Sequence, residues 1–399
     1  MDSTVLPAPQ RDWDDPVLDA DYHTVPFSAW GRRLSDWLAE RPSEASLPTP
    51  VVVGDAAALD SNVKSMAEWC AARGIELSPH GKSTMAPRLW RRQLEAGAAG
   101  VTVANAAQAR VAVLAGVGEI LIANEVTDPE AVAWLSAVSE AGARVSVFAD
   151  SLDGVALLDR HCRGGLRVYT ELGVAGGRGG ARSLEEARAV AEAVRRSANL
   201  TLAGTAGYEG AVTGRTDPES LAAVDAYLSD LAELHRGLDH EADDAAITVG
   251  GSAFYDRVAA VLAGRGERIL LRAGAYAVHD HGFYRRIAPF ERGGDGPVLK
   301  PVCTARVRVL SLPEPGVAVL DAGRRDLPFD QDLPRPLHFD HASAAIADQH
   351  LTLTGVQADL AVGDTVELGL SHPCTIFDKW RLVPLVEDGT VVDALPTFF

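Results

Sequence analysis

The sequence is poor in lysine and cysteine, and its basic residues are outnumbered by acidic ones. Its 399 residues include 37 Lys or Arg against 55 Asp or Glu, which gives a formal net charge of -18. Such a charge repels phosphate backbones and anionic lipids, so we expect neither nucleic acid nor a membrane surface as a partner. No run is long and charge-free enough to span a bilayer, and no apolar stretch follows the acidic start. We therefore expect a cytoplasmic protein.

The few cysteines are far apart in the sequence. They are Cys70, Cys162, Cys303 and Cys374. Such spacing forms no disulfide framework and is typical of a reducing compartment.

Lysine accounts for only four of the 37 basic residues. These are Lys64, Lys82, Lys300 and Lys379. Because a guanidinium cannot deprotonate to a nucleophile near neutral pH, a retained lysine is a candidate for amine chemistry. Lys64 falls within a predicted helix and Lys300 at the start of a predicted strand, so we expect both at the surface.

From about residue 50 to about residue 280, short β-branched runs alternate with alanine- and leucine-rich stretches. In the latter, apolar residues recur every three or four positions, as in a helix that covers a sheet. The repetition fits a doubly wound sheet or a closed barrel, and its length of about 235 residues favours a (β/α)8 TIM barrel. The predicted strands are 50–54, 76–78, 101–104, 119–123, 144–148, 166–170, 200–204, 247–250 and 269–272.

After residue 285 the pattern changes to alternating strands broken by glycine and proline, which predicts a β-rich C-terminal domain. The expected organisation is an N-terminal extension at 1–49, a barrel at 50–285 and a β-rich domain at 286–399. We expect the extension to pack on the barrel or on the β-rich domain.

The segment SPHGKST (residues 78–84) follows an early barrel strand and precedes a helix. Barrel active sites lie at that end of the strands, so Lys82 is placed to reach into the barrel mouth. The alternative is a lysine exposed after a turn. The scarcity of lysine and the proline and glycine around it favour a functional role.

A second motif, SHPCTIFDKW (residues 371–380), contains a possible metal pair. In an extended chain, residues two apart point to the same side, so His372 and Cys374 can converge on one ion. Nitrogen and sulfur together suit zinc, and only two ligands would leave the open coordination of a catalytic metal. The alternative is a buried cysteine beside an unrelated histidine.

Two glycine-containing segments that follow late strands are candidates for phosphate binding. TVGGS (residues 248–252) offers backbone N–H groups and a hydroxyl, and RAGAY (residues 272–276) ends the next strand. Plain turns are the alternative. The run GVAGGRGG (residues 173–180) lacks the spacing of a dinucleotide-binding fingerprint.

Together, these motifs resemble the D-serine dehydratase and D-threonine aldolase family of pyridoxal-phosphate enzymes, whose barrel is shared with alanine racemase. The resemblance runs from about residue 47 to the end, and its most specific parts are PHGKS around Lys82 and HPCTIFDKW around Cys374. It implies that Lys82 forms a Schiff base with pyridoxal phosphate. It also implies a divalent metal, zinc in the dehydratases, on His372 and Cys374.

The resemblance implies further contacts to the cofactor. The positions are Arg178, Tyr208, Gly250, Gly251, Ser252, Gly274 and Ala275. Two extra residues separate Arg178 from the spacing seen in the racemases. A second tyrosine of the dehydratases falls here on Arg215.

The expected function is a pyridoxal-phosphate- and metal-dependent dehydratase that converts a β-hydroxy-D-amino acid such as D-serine to a 2-oxo acid and ammonia. Cys374 favours dehydration, because the similar aldolases carry aspartate at that position. The alternatives are retro-aldol cleavage to glycine and an aldehyde, racemisation, and a non-catalytic pyridoxal-phosphate carrier. By analogy with the family we expect a homodimer.

Overall fold

The N-terminal segment packs on the β-rich part of the molecule. The computed structural model describes residues 12–399, and positions 1–11 of the predicted extension lie outside the described residues. Helix α1 (Leu34–Ala39) places Leu34 and Trp37 in a buried cluster that also holds Leu382 and Val391 from the C-terminal part of the chain. The extension therefore covers one face of the C-terminal sheet.

Strand β1 (Val51–Asp55) lies outside the barrel, although the alternation predicts it as the first of the barrel strands. It pairs antiparallel with a strand at 303–311 and parallel with one at 382–387. The prediction is wrong for this strand because β1 is buried on both faces, like a barrel strand. Val51 and Val53 contact the N-terminal cluster and Val52 the main core, so the apolar run does not reveal which sheet it joins.

Eight parallel strands form the predicted barrel, and the prediction of this fold is confirmed. They are β2 (Ile75–Leu77), β3 (Val101–Val103), β4 (Glu119–Glu125), β5 (Arg144–Ala149), β6 (Leu166–Leu172), β7 (Leu200–Gly207), β8 (Ala246–Val249) and β9 (Arg268–Leu271). Their order is β2-β9-β8-β7-β6-β5-β4-β3. A parallel bridge between His80 and Thr102 joins the two ends of this order, and the Thr102 amide donates to the Pro79 carbonyl at 2.9 Å. The sheet is thereby closed.

Helices cover the outside of the barrel. They are α2 (Ala56–Ala71), α3 (Pro87–Glu95), α4 (Ala106–Leu114), α5 (Pro129–Glu140), α6 (Leu152–His161), α7 (Leu184–Arg196), α8 (Pro218–Arg236) and α9 (Tyr255–Leu262). Many begin at a side chain that accepts a backbone N–H of the first turn, for example Asn105 before α4 and Ser183 before α7. These caps fix where the helices begin, at the mouth of the barrel.

The short helix α10 (Phe283–Ile287) leads to the β-rich domain. The strands of the β-rich domain are β10 (Cys303–Ser311), β11 (Val317–Leu320), β12 (Arg335–Pro336), β13 (Ser343–Ile346), β14 (Leu351–Thr354), β15 (Thr365–Gly369), β16 (Leu382–Glu387) and β17 (Thr390–Pro396). With β1 they form a mostly antiparallel sheet, in which β15 pairs with β10 and β12. The predicted β-rich part is confirmed.

The two parts share one hydrophobic core. The cluster that contains Leu89 of α3 and Tyr276 after β9 also contains Phe377 and Trp380, which follow the His-Pro-Cys motif. This packing brings the loop between β15 and β16 to the mouth of the barrel. None of the described helices is both long and apolar enough to cross a membrane.

Candidate active site

Lys82 lies at the mouth of the barrel, on a one-turn 3-10 helix that follows β2. The turn packs so tightly that a Cβ on Gly81 would lie 2.7 Å from the Trp90 indole, so glycine is required there. Burial lowers the pKa of Lys82, and Arg178 and Arg272 lower it further, against the opposing effect of Cys374. A lowered pKa increases the fraction of neutral amine, the form that acts as nucleophile or base.

The other lysines lie elsewhere. Lys64 and Lys300 are exposed, as expected from the sequence. Lys379 donates to the Thr375 carbonyl at 3.0 Å and to Asp378 at 2.9 Å. It therefore supports the turn that carries the His-Pro-Cys motif, and it does not line the cavity at Lys82.

A cavity of about 340 Å³ opens at Lys82, and every residue that the sequence placed in the site lines it. These are Lys82, Arg178, Tyr208, Gly250, Gly251, Ser252, Gly274, Ala275, His372 and Cys374. Barrel and β-rich domain thus contribute opposite walls of one cavity. Arg215 is not among the lining residues, and its side chain is 80% exposed and paired with Asp217.

Arg178 reaches the cavity because its glycine-rich loop folds back on β6. The Gly173 amide donates to the Ala181 carbonyl at 2.9 Å, and the Gly180 amide donates to Asp150 at 3.0 Å. The Arg178 guanidinium carbon lies 4.6 Å from the centroid of the Tyr208 ring, a cation–π contact. The fold of this loop therefore places the Arg178 side chain on the lining of the cavity.

The two glycines after β8 are held by a buried carboxylate. The amides of Gly250 and Gly251 donate to Glu209 at 3.0 and 2.6 Å. The sequence predicts that these amides donate hydrogen bonds to a phosphate. Both instead donate to Glu209, because this fully buried carboxylate needs hydrogen-bond donors. Gly250 has φ +100°, and a Cβ there would lie 2.2 Å from the Leu271 side chain, so only glycine fits.

Other groups in the same region remain suited to an anion. The Ser252 hydroxyl is on the lining of the cavity, beside the turn that Glu209 holds. Gly274 passes so close to His80 that a Cβ would lie 2.5 Å from its carbonyl oxygen, which lets the backbone at Gly274 and Ala275 approach the cavity. A phosphate bound here would find a hydroxyl and backbone N–H groups.

Arg272 is a functional candidate that the sequence analysis missed. It follows β9, is 5% exposed, and donates to the Gly207 carbonyl at 2.7 Å and to Thr248 at 2.9 Å. It lines the cavity and places a permanent positive charge there. An arginine directly after the buried run Ile269–Leu271 was the available signal, since such a charge is seldom buried without a purpose.

Two carboxyl groups beside the cavity were also missed. Glu171 is the last residue but one of β6 and lines the cavity, and Glu125 ends β4. Burial and the neighbouring Glu125 carboxylate raise the pKa of Glu171 to about 8. Two close carboxylates cannot both ionise readily, so this pair retains a proton near neutral pH.

The His-Pro-Cys motif forms a turn, whereas the sequence analysis argued from an extended chain. His372 has a left-handed φ of +61°, and residues Pro373–Thr375 form a 3-10 turn. The two side chains converge through this turn, because the left-handed residue reverses the chain. The His372 amide donates at 2.8 Å to Asp280, which follows β9 of the barrel and helps to maintain the conformation.

Cys374 lies directly beside the lysine segment. Its sulfur is 3.2 Å from the Ser83 hydroxyl. Burial acts to raise the pKa of Cys374, but hydrogen bonds with His372 and Ser83 and the nearby charges lower it overall. Hydrogen bonding to Cys374 and the charges of that thiolate and of Asp330 raise the pKa of His372 to about 9. A thiolate next to an imidazole is a suitable pair of ligands for a soft divalent metal.

The donor set fits both a cofactor and a metal. An amine, a buried guanidinium, a hydroxyl and closely approaching backbone suit a phosphorylated aromatic aldehyde, and the cavity has the size of a small-molecule site. Within residues 12–399 no third His, Cys, Asp or Glu completes a metal-binding group. A metal held here would therefore have two ligands from the described part of the chain, His372 and Cys374, and positions open to substrate.

Two family models match the chain, and each includes residues that line the cavity. The alanine racemase N-terminal domain matches residues 54–263, just over half of the chain. A putative serine dehydratase domain matches residues 303–386. Lys82 and Ser252 lie in the first match, and Cys374 lies in the second.

Several known proteins are similar over most of their length. The D-threonine aldolase of Arthrobacter sp. is 27% identical over 361 residues, which cover 88% of this chain and 92% of the relative. The 3-hydroxy-D-aspartate aldolase of Paracoccus denitrificans (strain Pd 1222) is 25% identical over 346 residues, covering 84% and 88%. The crystal structure of D-threonine aldolase from Filomicrobium marinum has a TM-score of 0.77 at 26% identity, covering 88% of this chain and 96% of that one.

Proposed function

This chain belongs to the alanine racemase N-terminal domain family of pyridoxal-phosphate enzymes, and we propose that it is a metal-dependent lyase that cleaves a β-hydroxy-D-amino acid to glycine and an aldehyde. The observation that carries the proposal is the shared cavity, in which Lys82 faces His372 and Cys374. Racemisation does not require a metal-binding pair such as His372 and Cys374. A protein that only carries the cofactor does not require the β-rich domain.

The cofactor would be held by the barrel wall. Lys82 is the attachment point, Ser252 and the backbone at Gly274 and Ala275 are suited to the phosphate, and Arg272 supplies a buried positive charge. Bound pyridoxal phosphate supplies an electron sink for the pair of electrons left on the substrate Cα.

The metal would be held by the opposite wall, on His372 and Cys374. A divalent metal there supplies Lewis-acid polarisation of the β-hydroxyl group of the substrate. Cys374 lies beside Ser83, which follows Lys82 in the sequence. The metal pair and the lysine amine are therefore close enough to act on the same small substrate.

In retro-aldol cleavage the β-hydroxyl loses its proton, the Cα–Cβ bond breaks, and Cβ leaves as the aldehyde. Cα then receives a proton and the product is glycine. The Lys82 amine, with its lowered pKa, is suited to moving a proton at Cα. The two aldolases with the similarities described above favour this outcome over the elimination that the sequence analysis put first.

Elimination is the second candidate, and Cys374 favours it. The sequence resemblance associates cysteine at this position with dehydratases, and the dehydratase-type model matches this region. In elimination the Cα–H and Cβ–O bonds break and the hydroxyl leaves as water; the resulting enamine takes a proton at Cβ, and the imine so formed adds water to give a 2-oxo acid and ammonia. The same lysine and metal pair serve both reactions, and which bond to Cβ breaks depends on how the substrate lies in the cavity.

Product analysis decides between these outcomes. The purified holoenzyme is incubated with D-threonine, D-serine and 3-hydroxy-D-aspartate, with and without a chelator, and glycine, aldehyde, 2-oxo acid and ammonia are measured. We expect chelator-sensitive release of glycine and aldehyde in equal amounts. Equal amounts of 2-oxo acid and ammonia would establish elimination. Turnover that does not change on chelation, or no turnover at all, would contradict the proposal.

A further inference from the structure

Three carboxylates hold the segment that carries the His-Cys pair. Asp280, which follows the barrel, accepts the His372 amide at 2.8 Å. Asp332, from the loop before β12, accepts the Ser371 hydroxyl at 2.8 Å. Asp330, from the same loop, is hydrogen-bonded to Nδ1 of the His372 ring. The first two hold the backbone and the serine side chain, and only the third contacts the imidazole.

The contact with Asp330 determines which ring nitrogen is free. An ionised carboxylate accepts hydrogen bonds and does not donate them, so Asp330 holds a proton on Nδ1, and Nε2 is the nitrogen left for a metal, which would displace the proton there. The other carboxylate oxygen of Asp330 accepts the Thr375 hydroxyl at 2.7 Å, which fixes the carboxylate. The Phe283 ring packs edge-on against the imidazole, with centroids 5.9 Å apart. The ring is therefore held in one orientation, with Nδ1 towards Asp330.

We propose that Asp330 is a positioning residue that sets the metal affinity of the His372–Cys374 pair, with Thr375 orienting its carboxylate. The inference rests on the proposed function, because it concerns the metal site of that reaction. A carboxylate on the far nitrogen of a ligating histidine fixes its orientation and raises its basicity. With only two protein ligands available, the affinity of this site depends strongly on how well each is oriented.

Cobalt provides the test, since Co²⁺ bound to a thiolate has a charge-transfer absorption that reports ligation independently of turnover. The holoenzyme is stripped of metal with a chelator and titrated with Co²⁺. We expect the dissociation constant to rise about tenfold in Asp330→Asn, which keeps an acceptor but loses the charge, and about a hundredfold in Asp330→Ala. Thr375→Val is expected to have a smaller effect than Asp330→Asn. The matched control is Asp359→Asn, an exposed carboxylate of the β-rich domain, which should bind Co²⁺ like the wild type.

Each outcome separates the two proposals. If the wild type shows no thiolate charge-transfer band, the metal site of the proposed function fails. If the wild type shows the band and the Asp330 variants bind Co²⁺ with unchanged affinity, the inference about Asp330 is overturned and the proposed function stands. Complete loss of binding in Asp330→Asn, with the cofactor absorbance intact, would also overturn it by making Asp330 a metal ligand. Thr375→Val keeps the test informative if an Asp330 variant does not fold.

Discussion

The two walls of the cavity are built in different ways. The barrel wall collects residues from the ends of several parallel strands, where strand ladders, glycines with close backbone contacts and buried charges determine their positions. The wall from the β-rich domain consists of one short turn with a left-handed histidine, held by carboxylates and by Phe377 and Trp380 in the core. The first wall follows from the topology, and the second depends on specific side-chain contacts. Cofactor binding and metal binding should therefore be separable by mutation.

The largest effect is expected from Lys82→Ala, which removes the amine from the barrel wall. We expect loss of the visible absorbance of the cofactor and a fall in activity of at least about 10³-fold, because both attachment and proton transfer are lost. The measurements are the absorbance spectrum and the initial rate. Lys64→Ala, an exposed lysine on α2, is the control. Full activity in Lys82→Ala would remove the basis of the proposed mechanism.

Cys374→Asp tests the other wall and should leave the cofactor in place. Exchanging a soft sulfur ligand for a hard oxygen ligand is expected to move the metal preference from Zn²⁺ towards Mn²⁺ or Mg²⁺. We expect activity with Zn²⁺ to fall about tenfold or more relative to activity with Mn²⁺, at unchanged cofactor absorbance. Loss of the cofactor in this variant would show that the two walls do not act independently.

Glu209→Gln should weaken the barrel wall moderately. Glutamine offers one acceptor where the glutamate offers two, so its amide group would face one of the glycine N–H groups. An unsatisfied buried donor costs about 1–3 kcal/mol, so we expect the free energy of unfolding of the apoenzyme to fall by about that amount, as measured by denaturant unfolding. Glu219→Gln, an exposed residue in the first turn of α8, is the control. An unchanged free energy of unfolding would mean that Glu209 does not stabilise the Gly250–Gly251 turn.

The smallest effect is expected from Glu171→Gln, and it depends on pH. The pKa of Glu171 is about 8 in the folded protein, against 4.5 as its ordinary value. Below pH 4.5 both states are protonated. Between pH 4.5 and 8 the unfolded state releases the proton more readily, so stability falls as pH rises. We expect the variant to lose part of this fall, seen as a smaller drop in thermal midpoint from pH 5 to pH 8 than in the wild type. The exposed Glu185→Gln variant should behave like the wild type, and identical drops in all three proteins would contradict the prediction.

The sequence predicted the architecture well because its signals were local. The barrel strands are short apolar runs, several of them followed by a residue that caps the next helix, and this pattern does not depend on the rest of the chain. Strand β1 has the same pattern and lies in the other sheet. Its neighbours in space, β10 and β16, are about 250 and 330 residues away in the sequence, and no local pattern encodes such pairing.

The same distinction between local signals and distant contacts applies to the residues of the site. Lys82, His372 and Cys374 were recognisable because lysine is scarce and because the residues sit in specific motifs. Glu171 and Asp330 were not, since each matters through a partner that folding brings close. Glu171 is unusual only once it is buried, and Asp330 only once it meets the ring of a histidine 42 residues away. Arg272 lies between these cases, because its place after an apolar strand is a local signal, but its burial is not.

Local chemistry and periodicity thus established the barrel, the β-rich domain and the residue types of the site, because these depend on neighbouring positions along the chain. Folding decided which sheet takes β1, how the two glycine amides are satisfied, and that an amine and a thiolate face each other across one cavity. Those features depend on distances between segments far apart in sequence, and such distances are set by the packing of the whole core.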